Sequence, residues 1–346
     1  MKKFDPAFDY LVYETTQKCN LDCVFCYNIH KIPDKKAEVI NESFGKSKKI
    51  LKTAIKNFGV RHITMSGGEP FCSERFIELV LWCRMQKCSV TIITNGTAAN
   101  PDMYKQAFNL GVNLFELPIH SHIPANHDKN CNHTGAWHKS LDSIKYLLSL
   151  GAAVVPVIVL TKHNIFDIHD TLLFIQSLGL KQIMINRYNI GGRSIADPTA
   201  ILPELEDLRK AFSITNEFAY KNNLKISSNV CTPICVLNPD DYKSIRFGSC
   251  ADSISNMPIT VDNNGNLRLC NHSPVVFGNI LTDTPNKLAN SEYIAAWNKS
   301  PPEFCLNCGL WNKCKSGCMA ASEQYYQSTE LPDPILSYYN IQKLAD

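Results

Sequence analysis

The sequence has no long hydrophobic run and no strong excess of either charge. Its most apolar later stretch, residues 152–160, is far shorter than the ~20 residues of a membrane-spanning helix. The start, MKKFDPAFDYLVYE, lacks the apolar core of a signal peptide. Only 19% of the residues are charged and the net charge is +3, which does not indicate a nucleic-acid-binding groove. These absences predict a cytoplasmic protein with no membrane and no nucleic acid among its partners.

Internal repeats and low-complexity segments are also absent. In the first two-thirds of the chain, short β-like runs alternate with amphipathic segments, which predicts a parallel sheet or an open barrel covered by helices. The predicted strands are 10–14, 62–65, 90–94, 113–119, 153–160 and 182–187. The predicted helices are 44–57, 74–85, 101–109, 138–150, 168–178 and 205–222. Six units are fewer than the eight of a complete TIM barrel, so we expect an α/β fold, a partial (β/α)6 TIM-like barrel, with ligands at the carboxyl ends of its strands.

The alternation stops near residue 224, where the sequence becomes irregular and rich in proline and cysteine. One element is clear, because Asn264-Gly265 between two alternating apolar arms predicts a tight β-hairpin. We therefore predict two domains, a barrel over residues 1–223 and an irregular, cysteine-rich α+β domain over residues 224–346.

Cysteine is the unusually abundant residue. Fifteen cysteines in a chain without an export signal are not expected to form a disulfide framework, because the cytosol keeps thiols reduced. Cys19, Cys23 and Cys26 form a C-x3-C-x2-C loop directly after the first predicted strand. Three such thiolates suit three irons of a [4Fe–4S] cluster and leave the fourth iron open. A structural zinc site is the alternative, but it needs four ligands, and the nearest further donors, His30 and Cys72, are not close by.

This loop, which continues with Tyr27, resembles the signature of the radical SAM superfamily. The resemblance implies that the open iron chelates S-adenosylmethionine (SAM), and that one-electron reduction cleaves SAM to a 5′-deoxyadenosyl radical that abstracts a substrate hydrogen. The end of the second predicted strand resembles the family's GGEP motif, whose backbone and glutamate accept hydrogen bonds from the SAM amino group. Its residues here are Gly67, Gly68, Glu69 and Pro70. A simple strand-ending turn is the alternative interpretation.

Two later strand ends bear on SAM binding. Thr94-Asn95-Gly96 resembles the family's T-N-G, which implies that Asn95 lies near the SAM ribose. At the fourth strand many relatives carry Ser-x-Asp-Gly and then an arginine that contacts the SAM carboxylate, but this chain has no nearby arginine, so we take Arg187 as the substitute. Five of the ten histidines lie between His120 and His138. A metal site is one interpretation, and a polar loop over the barrel is favoured because the spacings fit no standard ligand pattern.

The C-terminal cysteines resemble the SPASM pattern of auxiliary iron–sulfur domains. The spacing reads Cys250-x14-Gly265-x4-Cys270 and then Cys305-x2-Cys308-x5-Cys314-x3-Cys318. The resemblance implies one auxiliary [4Fe–4S] cluster on Cys250, Cys270 and Cys318. It implies a second on Cys305, Cys308 and Cys314. Residues 305–318 taken alone also fit a zinc knuckle.

The seventh cysteine of the SPASM pattern is missing, because none follows Cys318. The second auxiliary cluster is then expected to use a non-cysteine ligand, to keep an open iron, or to be absent. The non-cysteine candidates are Glu323, Tyr325, Tyr326 and Asp333. For the first auxiliary cluster we expect Cys235 as the fourth ligand, with Cys231 as the alternative. The remaining cysteines, which we expect to be unligated thiols, are Cys72, Cys83, Cys88 and Cys131.

The resemblance implies oxidative modification of a peptide, by crosslinking, dehydrogenation or decarboxylation, because SPASM relatives mostly act on peptides or proteins. His272 is a candidate proton acceptor, or else a histidine that packs on the cluster. Expected partners are a peptide or small-molecule substrate and an external electron donor of the flavodoxin or ferredoxin type. A separate peptide-recognition protein is also among the expected partners. A first strand that begins by about residue 8 leaves no room for the recognition domain of many peptide maturases, which counts against a peptide substrate. A small-molecule radical SAM enzyme and a non-catalytic zinc-binding protein are the alternative functions.

Overall fold

The computed structural model describes residues 8–33, 43–250, 257–297 and 301–341. Within these ranges the strands form one sheet. The strands are β1 (Tyr10–Thr16), β2 (His62–Gly67), β3 (Ser89–Ile93), β4 (Leu114–Pro118), β5 (Val154–Leu160), β6 (Gln182–Arg187), β7 (Lys225–Ser228), β8 (Ile245–Phe247), β9 (Thr260–Val261), β10 (Asn266–Arg268) and β11 (Gly278–Asn279). The helices are α1 (Phe44–Asn57), α2 (Phe76–Met85), α3 (Pro101–Asn109), α4 (Pro124–Cys131), α5 (Ala136–Ser149), α6 (Ile168–Ser177), α7 (Leu205–Asn222), α8 (Pro285–Ala289), α9 (Glu292–Trp297), α10 (Trp311–Cys314), α11 (Met319–Tyr326) and α12 (Ile335–Tyr338).

Strands β1 to β8 lie side by side in chain order and pair in parallel. This arrangement follows from the strand–helix repeats, because a crossover helix returns the chain to the same end of the sheet. In β1 and β2, Glu14 lies opposite Ser66, and the register then shifts so that Thr16 pairs with Gly67. The carboxyl ends of the strands therefore share one edge, where sheets of this kind bind their ligands.

The six strands and six helices predicted for the first two-thirds are confirmed, but the count of six parallel strands is too low. β7 and β8 extend the parallel array beyond β6. With four and three residues, they are too short to give a readable alternation. The domain boundary near residue 224 stays a prediction, and the sheet continues across it.

The predicted hairpin is also confirmed and lies on the other edge of the sheet. Leu267 of β10 pairs with Val261 of β9, and Gly265 takes a φ of +84° in the turn between them, a conformation that favours glycine. β9 runs parallel to β1, with Thr260 opposite Val12. The segment after β10 contacts the loop that follows β1, because the side-chain amide of Asn271, next to Cys270, donates to the hydroxyl of Tyr27.

A continuous hydrophobic core joins the two predicted domains. It runs from Phe8, just before β1, to Leu336 in α12. β5 (VVPVIVL) is almost wholly apolar, as expected for a parallel strand that is covered on both faces. Within the described ranges, no helix has both the length and the apolar character needed to cross a membrane.

Candidate active site

A cavity of about 590 Å³ lies at the carboxyl ends of the parallel strands. Its lining includes Cys19, Cys23 and Cys26 from the loop after β1, together with four cysteines from the C-terminal region. Those four are Cys231, Cys250, Cys270 and Cys318. A volume of this size is typical of cofactor and substrate sites. The fold therefore gathers thiols from both ends of the sequence around one cavity.

The two glycines at the end of β2 support the first cysteine loop. Gly67 has a φ of +126°, and a Cβ atom there would lie 2.4 Å from the carbonyl oxygen of Thr16. At Gly68 a Cβ atom would lie 2.2 Å from the carbonyl oxygen of Lys18. The backbone N–H of Gly68 donates to Thr16 O at 2.7 Å, and that of Glu69 donates to Lys18 O at 2.8 Å. Only glycine permits this approach of the backbone leading to Cys19, which a simple strand-ending turn would not require.

Glu69 links the ends of β2 and β3. Its buried carboxylate accepts hydrogen bonds from the Thr94 hydroxyl and from the backbone N–H of Asn95, both at 2.7 Å. Burial raises the pKa of Glu69 to about 7, although these donors oppose the shift. The Asn95 amide nitrogen lies 3.8 Å from Cys19 Sγ. Three segments that are far apart in the sequence are therefore in contact, namely the GGEP motif, the T-N-G motif and the cysteine loop. Pro70 is buried and starts the short 3-10 helix that follows Glu69.

Gln324 connects three segments around the cavity, and the sequence analysis did not select it. Its Nε2 donates to Tyr27 O at 3.0 Å and to His272 O at 2.6 Å, and its Oε1 accepts from the backbone N–H of Gly192 at 2.7 Å. At Gly192 a Cβ atom would lie 2.1 Å from Cys26 O. The local sequence around Gln324 in α11 does not indicate this role, because the three partners come together only in the tertiary fold.

Arg187 does not occupy the position predicted for it. It is 1% exposed, and its guanidinium donates to Thr232, Tyr188 O, Asn189, Cys231 O and Asp333. These five bonds use all five of its N–H donors. The geometry therefore contradicts the prediction that Arg187 contacts the SAM carboxylate, because the strand end is covered by the C-terminal region, whose position the sequence did not reveal.

Replacement of Arg187 by Met is expected to destabilise the protein by about 3–5 kcal/mol, because it leaves the buried carboxylate of Asp333 without its cation. Denaturant unfolding measures the loss. The double variant Arg187→Met with Asp333→Leu should lose less than the single variant, since it buries no unpaired charge. Equal stability of Arg187→Met and the unaltered protein would contradict the assignment of this ion pair as structural.

Cys231 groups with Cys250, Cys270 and Cys318. A hydrogen bond with the thiol of Cys250, followed by burial, raises the pKa of Cys231. Burial raises the pKa of Cys318, and the nearby Cys231 and Cys270 add to the shift. The amide of Asn189 donates to Cys318 Sγ at 3.3 Å. Cys231 is therefore better placed than Cys235 to be the fourth thiol of the first auxiliary group.

Cys235 lies instead beside Cys314 and Cys308. Burial raises the pKa of Cys235 to about 11, and the largest charge contribution comes from Cys314, followed by Cys308. The backbone N–H of Ile234, its neighbour, donates to Cys314 Sγ at 3.3 Å. Cys235 thus lies beside the second group, whereas the sequence analysis expected it in the first, and it is the candidate for a fourth thiol of the second group. The segment 231–235 passes between the two groups and contributes a thiol to each.

The oxygen ligands considered for the second group are engaged elsewhere. Asp333 accepts hydrogen bonds from Arg187 and from the backbone N–H groups of Cys318 and Ile335. Glu323 accepts from Ser273 and Tyr293. The hydroxyls of Tyr325 and Tyr326 pair with those of Tyr338 and Ser337. These bonds pack the C-terminal region together, and they account for the two buried carboxylates, Glu323 and Asp333, without a metal.

His272 lines the cavity, as its position after Cys270 suggested. Its Nε2 lies 3.2 Å from Ile190 O, and burial lowers its pKa to about 3. The imidazole is therefore neutral and holds an added proton weakly, which argues against a role as proton acceptor. Its ring packs on Tyr27, with centroids 5.0 Å apart, in agreement with the packing alternative.

Glu116 is a cavity residue that the sequence analysis missed. It lies in β4 (LFELP), and burial raises the pKa of its carboxyl group to about 7. Within the described ranges, no side chain forms a hydrogen bond or ion pair with its carboxylate. A single acidic residue in an otherwise apolar strand could have indicated a cavity residue, because buried carboxylates are rare unless they are paired.

The histidine-rich segment is partly helical, whereas a loop was favoured. Residues Pro124–Cys131 form α4, with proline at the first helical position, where it is well tolerated. His120 and His127 are buried, and their rings stack with centroids 5.1 Å apart. Among the described residues, no group of three or more His, Cys, Asp or Glu side chains is arranged to hold a single metal ion.

The cysteine groups fit an iron–sulfur cluster by their chemistry. A [4Fe–4S] cubane carries its irons at separate corners and takes thiolate ligands, so the thiols need not converge on one point. Burial raises the pKa of Cys19, Cys26 and Cys270 to about 11. Such thiols ionise readily only next to a positive group, and bound iron supplies one.

The chain resembles two curated proteins over most of its length. It is 26% identical over 313 residues to the antilisterial bacteriocin subtilosin biosynthesis protein AlbA of Bacillus subtilis (strain 168), a match that covers 87% of this chain and 64% of AlbA. It is 21% identical over 338 residues to the PqqA peptide cyclase of Gluconobacter oxydans (strain 621H), covering 94% of this chain and 90% of the cyclase.

Solved structures resemble the fold. SuiB of Streptococcus suis bound to S-adenosylmethionine superposes with a TM-score of 0.73 at 17% identity, over 94% of this chain and 76% of SuiB. anSMEcpe with bound AdoMet gives 0.70 at 16% identity, over 95% of this chain and 94% of the other. The sequence of residues 13–175 matches the Radical SAM superfamily. That match runs from β1 to α6 and includes the cysteine loop after β1, so this part of the chain is a radical SAM domain.

Proposed function

We propose that the protein is a radical SAM peptide maturase with three [4Fe–4S] clusters. One observation carries this proposal: the loop cysteines Cys19, Cys23 and Cys26 line the same cavity as Cys231, Cys250, Cys270 and Cys318. A SAM molecule held by the first group therefore faces the second group across the space where a substrate binds. The third group, Cys235 with Cys305, Cys308 and Cys314, is not part of the described lining.

The protein residues position and isolate the reacting groups. Cys19, Cys23 and Cys26 would hold the SAM-binding cluster, and Gly68 and Glu69 would receive the SAM amino group. When bound, the clusters supply the electron that cleaves SAM and accept the electron that the oxidised substrate gives up. Most of the accessible lining is apolar, including Val157, Val159 and Met184, which excludes water from a reactive carbon centre.

A peptide is the substrate class that the relatives support. AlbA takes part in bacteriocin biosynthesis, the Gluconobacter relative is a PqqA peptide cyclase, and SuiB has been solved with a bound precursor peptide. anSMEcpe has been solved with bound peptides as well. We therefore propose oxidative modification of a peptide. One substrate hydrogen goes to 5′-deoxyadenosine, one electron to an auxiliary cluster and then to an external acceptor, and one proton to solvent.

The test is SAM cleavage in the presence of candidate substrates. Anaerobically reconstituted protein should contain about twelve irons per chain, as expected for three cubanes, and should release 5′-deoxyadenosine under dithionite. Short peptides encoded next to the gene should raise that release and should lose the mass of two hydrogens, alone or together with carbon dioxide. Stimulation by a tetrapyrrole or an amino-acid derivative, with none by peptides, would contradict the peptide assignment. Stoichiometric zinc with little iron would contradict the whole proposal.

A further inference from the structure

A buried thiol outside the three cysteine groups touches the first of them. Cys131, the last residue of α4, is fully buried and lies within hydrogen-bonding contact of Cys23. The backbone holds the two elements together, because the N–H of Val24 donates to the carbonyl oxygen of Asn130 at 3.0 Å. The C-x3-C-x2-C loop already supplies three thiolates, so Cys131 is a fourth sulfur beside a site that uses three.

The hydrogen bonds around His127 hold the thiol of Cys131 in place. The backbone N–H of His120 donates to His127 Nδ1 at 3.1 Å, so this nitrogen carries no proton. Burial lowers the pKa of His127 to about 4, and the neutral ring therefore carries its proton on Nε2. Nε2 lies 3.3 Å from Cys131 Sγ and donates to it. A cluster-bound Cys23 is a thiolate and carries no proton, so in its contact with Cys131 the S–H of Cys131 is the donor.

We propose that Cys131 is a positioning residue that donates a hydrogen bond to the Cys23 thiolate and raises the reduction potential of the SAM-binding cluster. This inference rests on the proposed function. A donor directed at a ligating sulfur withdraws negative charge, and it therefore favours the reduced, more negative cluster. His120 and His127 hold the donor in place, which gives the two stacked, buried histidines a role without any metal.

The experiment measures the potential of this cluster in the full-length, reconstituted protein. A dithionite titration followed by electron paramagnetic resonance identifies the cluster, because its signal alone changes when SAM is added. In Cys131→Ala, the ratio of reduced to oxidised cluster at a fixed potential should fall about tenfold, equivalent to 59 mV for a one-electron couple. Cys131→Ser keeps an O–H donor and should shift less. Cys83→Ala removes an equally buried thiol in α2 and should not shift the potential.

Each other outcome is decisive. An unchanged potential in Cys131→Ala would overturn the inference. Loss of the SAM-responsive signal in both Cys131 variants, with retention in Cys83→Ala, would make Cys131 a ligand and would also overturn it. Absence of a SAM-responsive signal from the unaltered protein would overturn the proposed function itself, and with it this inference.

Discussion

The variant with Cys19, Cys23 and Cys26 all replaced by Ala should lose about four irons per chain and release no 5′-deoxyadenosine. Only this loop leaves an iron without a protein ligand, and an open iron is what SAM requires. Iron content and product chromatography under dithionite measure the two effects. The loop is fixed by backbone bonds to β2 rather than by its thiols, so the rest of the fold should persist.

Two comparisons make that expectation specific. The triple variant should keep about eight irons, because the two auxiliary groups use other cysteines. The matched control, with Cys72, Cys83 and Cys88 replaced by Ala, should keep both its iron and its SAM cleavage. Release of 5′-deoxyadenosine by the Cys19, Cys23 and Cys26 variant would show that another site binds SAM, and the loop assignment would be wrong.

Replacement of Cys235 by Ala should make the second auxiliary cluster sensitive to chelators. The remaining thiols, Cys305, Cys308 and Cys314, can hold three irons of a cubane, and the fourth iron is then exposed to chelators. We expect about four irons to be lost from Cys235→Ala during anaerobic treatment with a chelator that the unaltered protein resists. SAM cleavage without substrate should be unchanged, since Cys235 does not belong to the SAM site.

The matched variant is Cys231→Ala, four residues away on the same segment. It should expose the other auxiliary cluster, the one that lines the cavity, and should therefore lower substrate turnover more strongly than Cys235→Ala. Mössbauer spectra detect the open iron in either variant, because loss of one thiolate gives that cluster a unique iron site, and the effect on substrate turnover distinguishes the two variants. Equal resistance of Cys235→Ala and the unaltered protein to the chelator would contradict the grouping of Cys235 with Cys314.

The predictions from sequence were most accurate where the residues that act together are close in the chain. Cys19, Cys23 and Cys26 lie on one loop, so their spacing alone predicted three thiols around one site. The Gly67-Gly68-Glu69-Pro70 motif was selected for its resemblance, but the reason for its glycines appeared only in the structure. Each of the two glycines lies against the backbone of residues 16–18, a contact that spacing along the chain does not encode.

The predictions were wrong where a ligand or a partner comes from a distant segment. Arg187 is at the end of a strand, as predicted, yet its guanidinium is used by Asp333 from the C-terminal region. For the first auxiliary group the sequence analysis preferred Cys235 to Cys231, because a gap of four residues does not show which thiol faces which group. Cys131 was predicted to be an unligated thiol, and the sequence did not show that α4 carries it to Cys23.

The sequence by itself determined the parallel strand–helix array, the open-iron cysteine loop and the number of thiols available for further clusters. Periodicity and short-range spacing specify these features, because hydrophobic alternation sets the elements and a tight loop fixes the distances between its own side chains. The tertiary structure alone decided which distant thiols lie together, that Arg187 is a buried structural cation, and that Gln324 joins three segments. Such contacts depend on how the C-terminal region packs on the strand ends, and that packing is set by many residues together rather than by any local pattern.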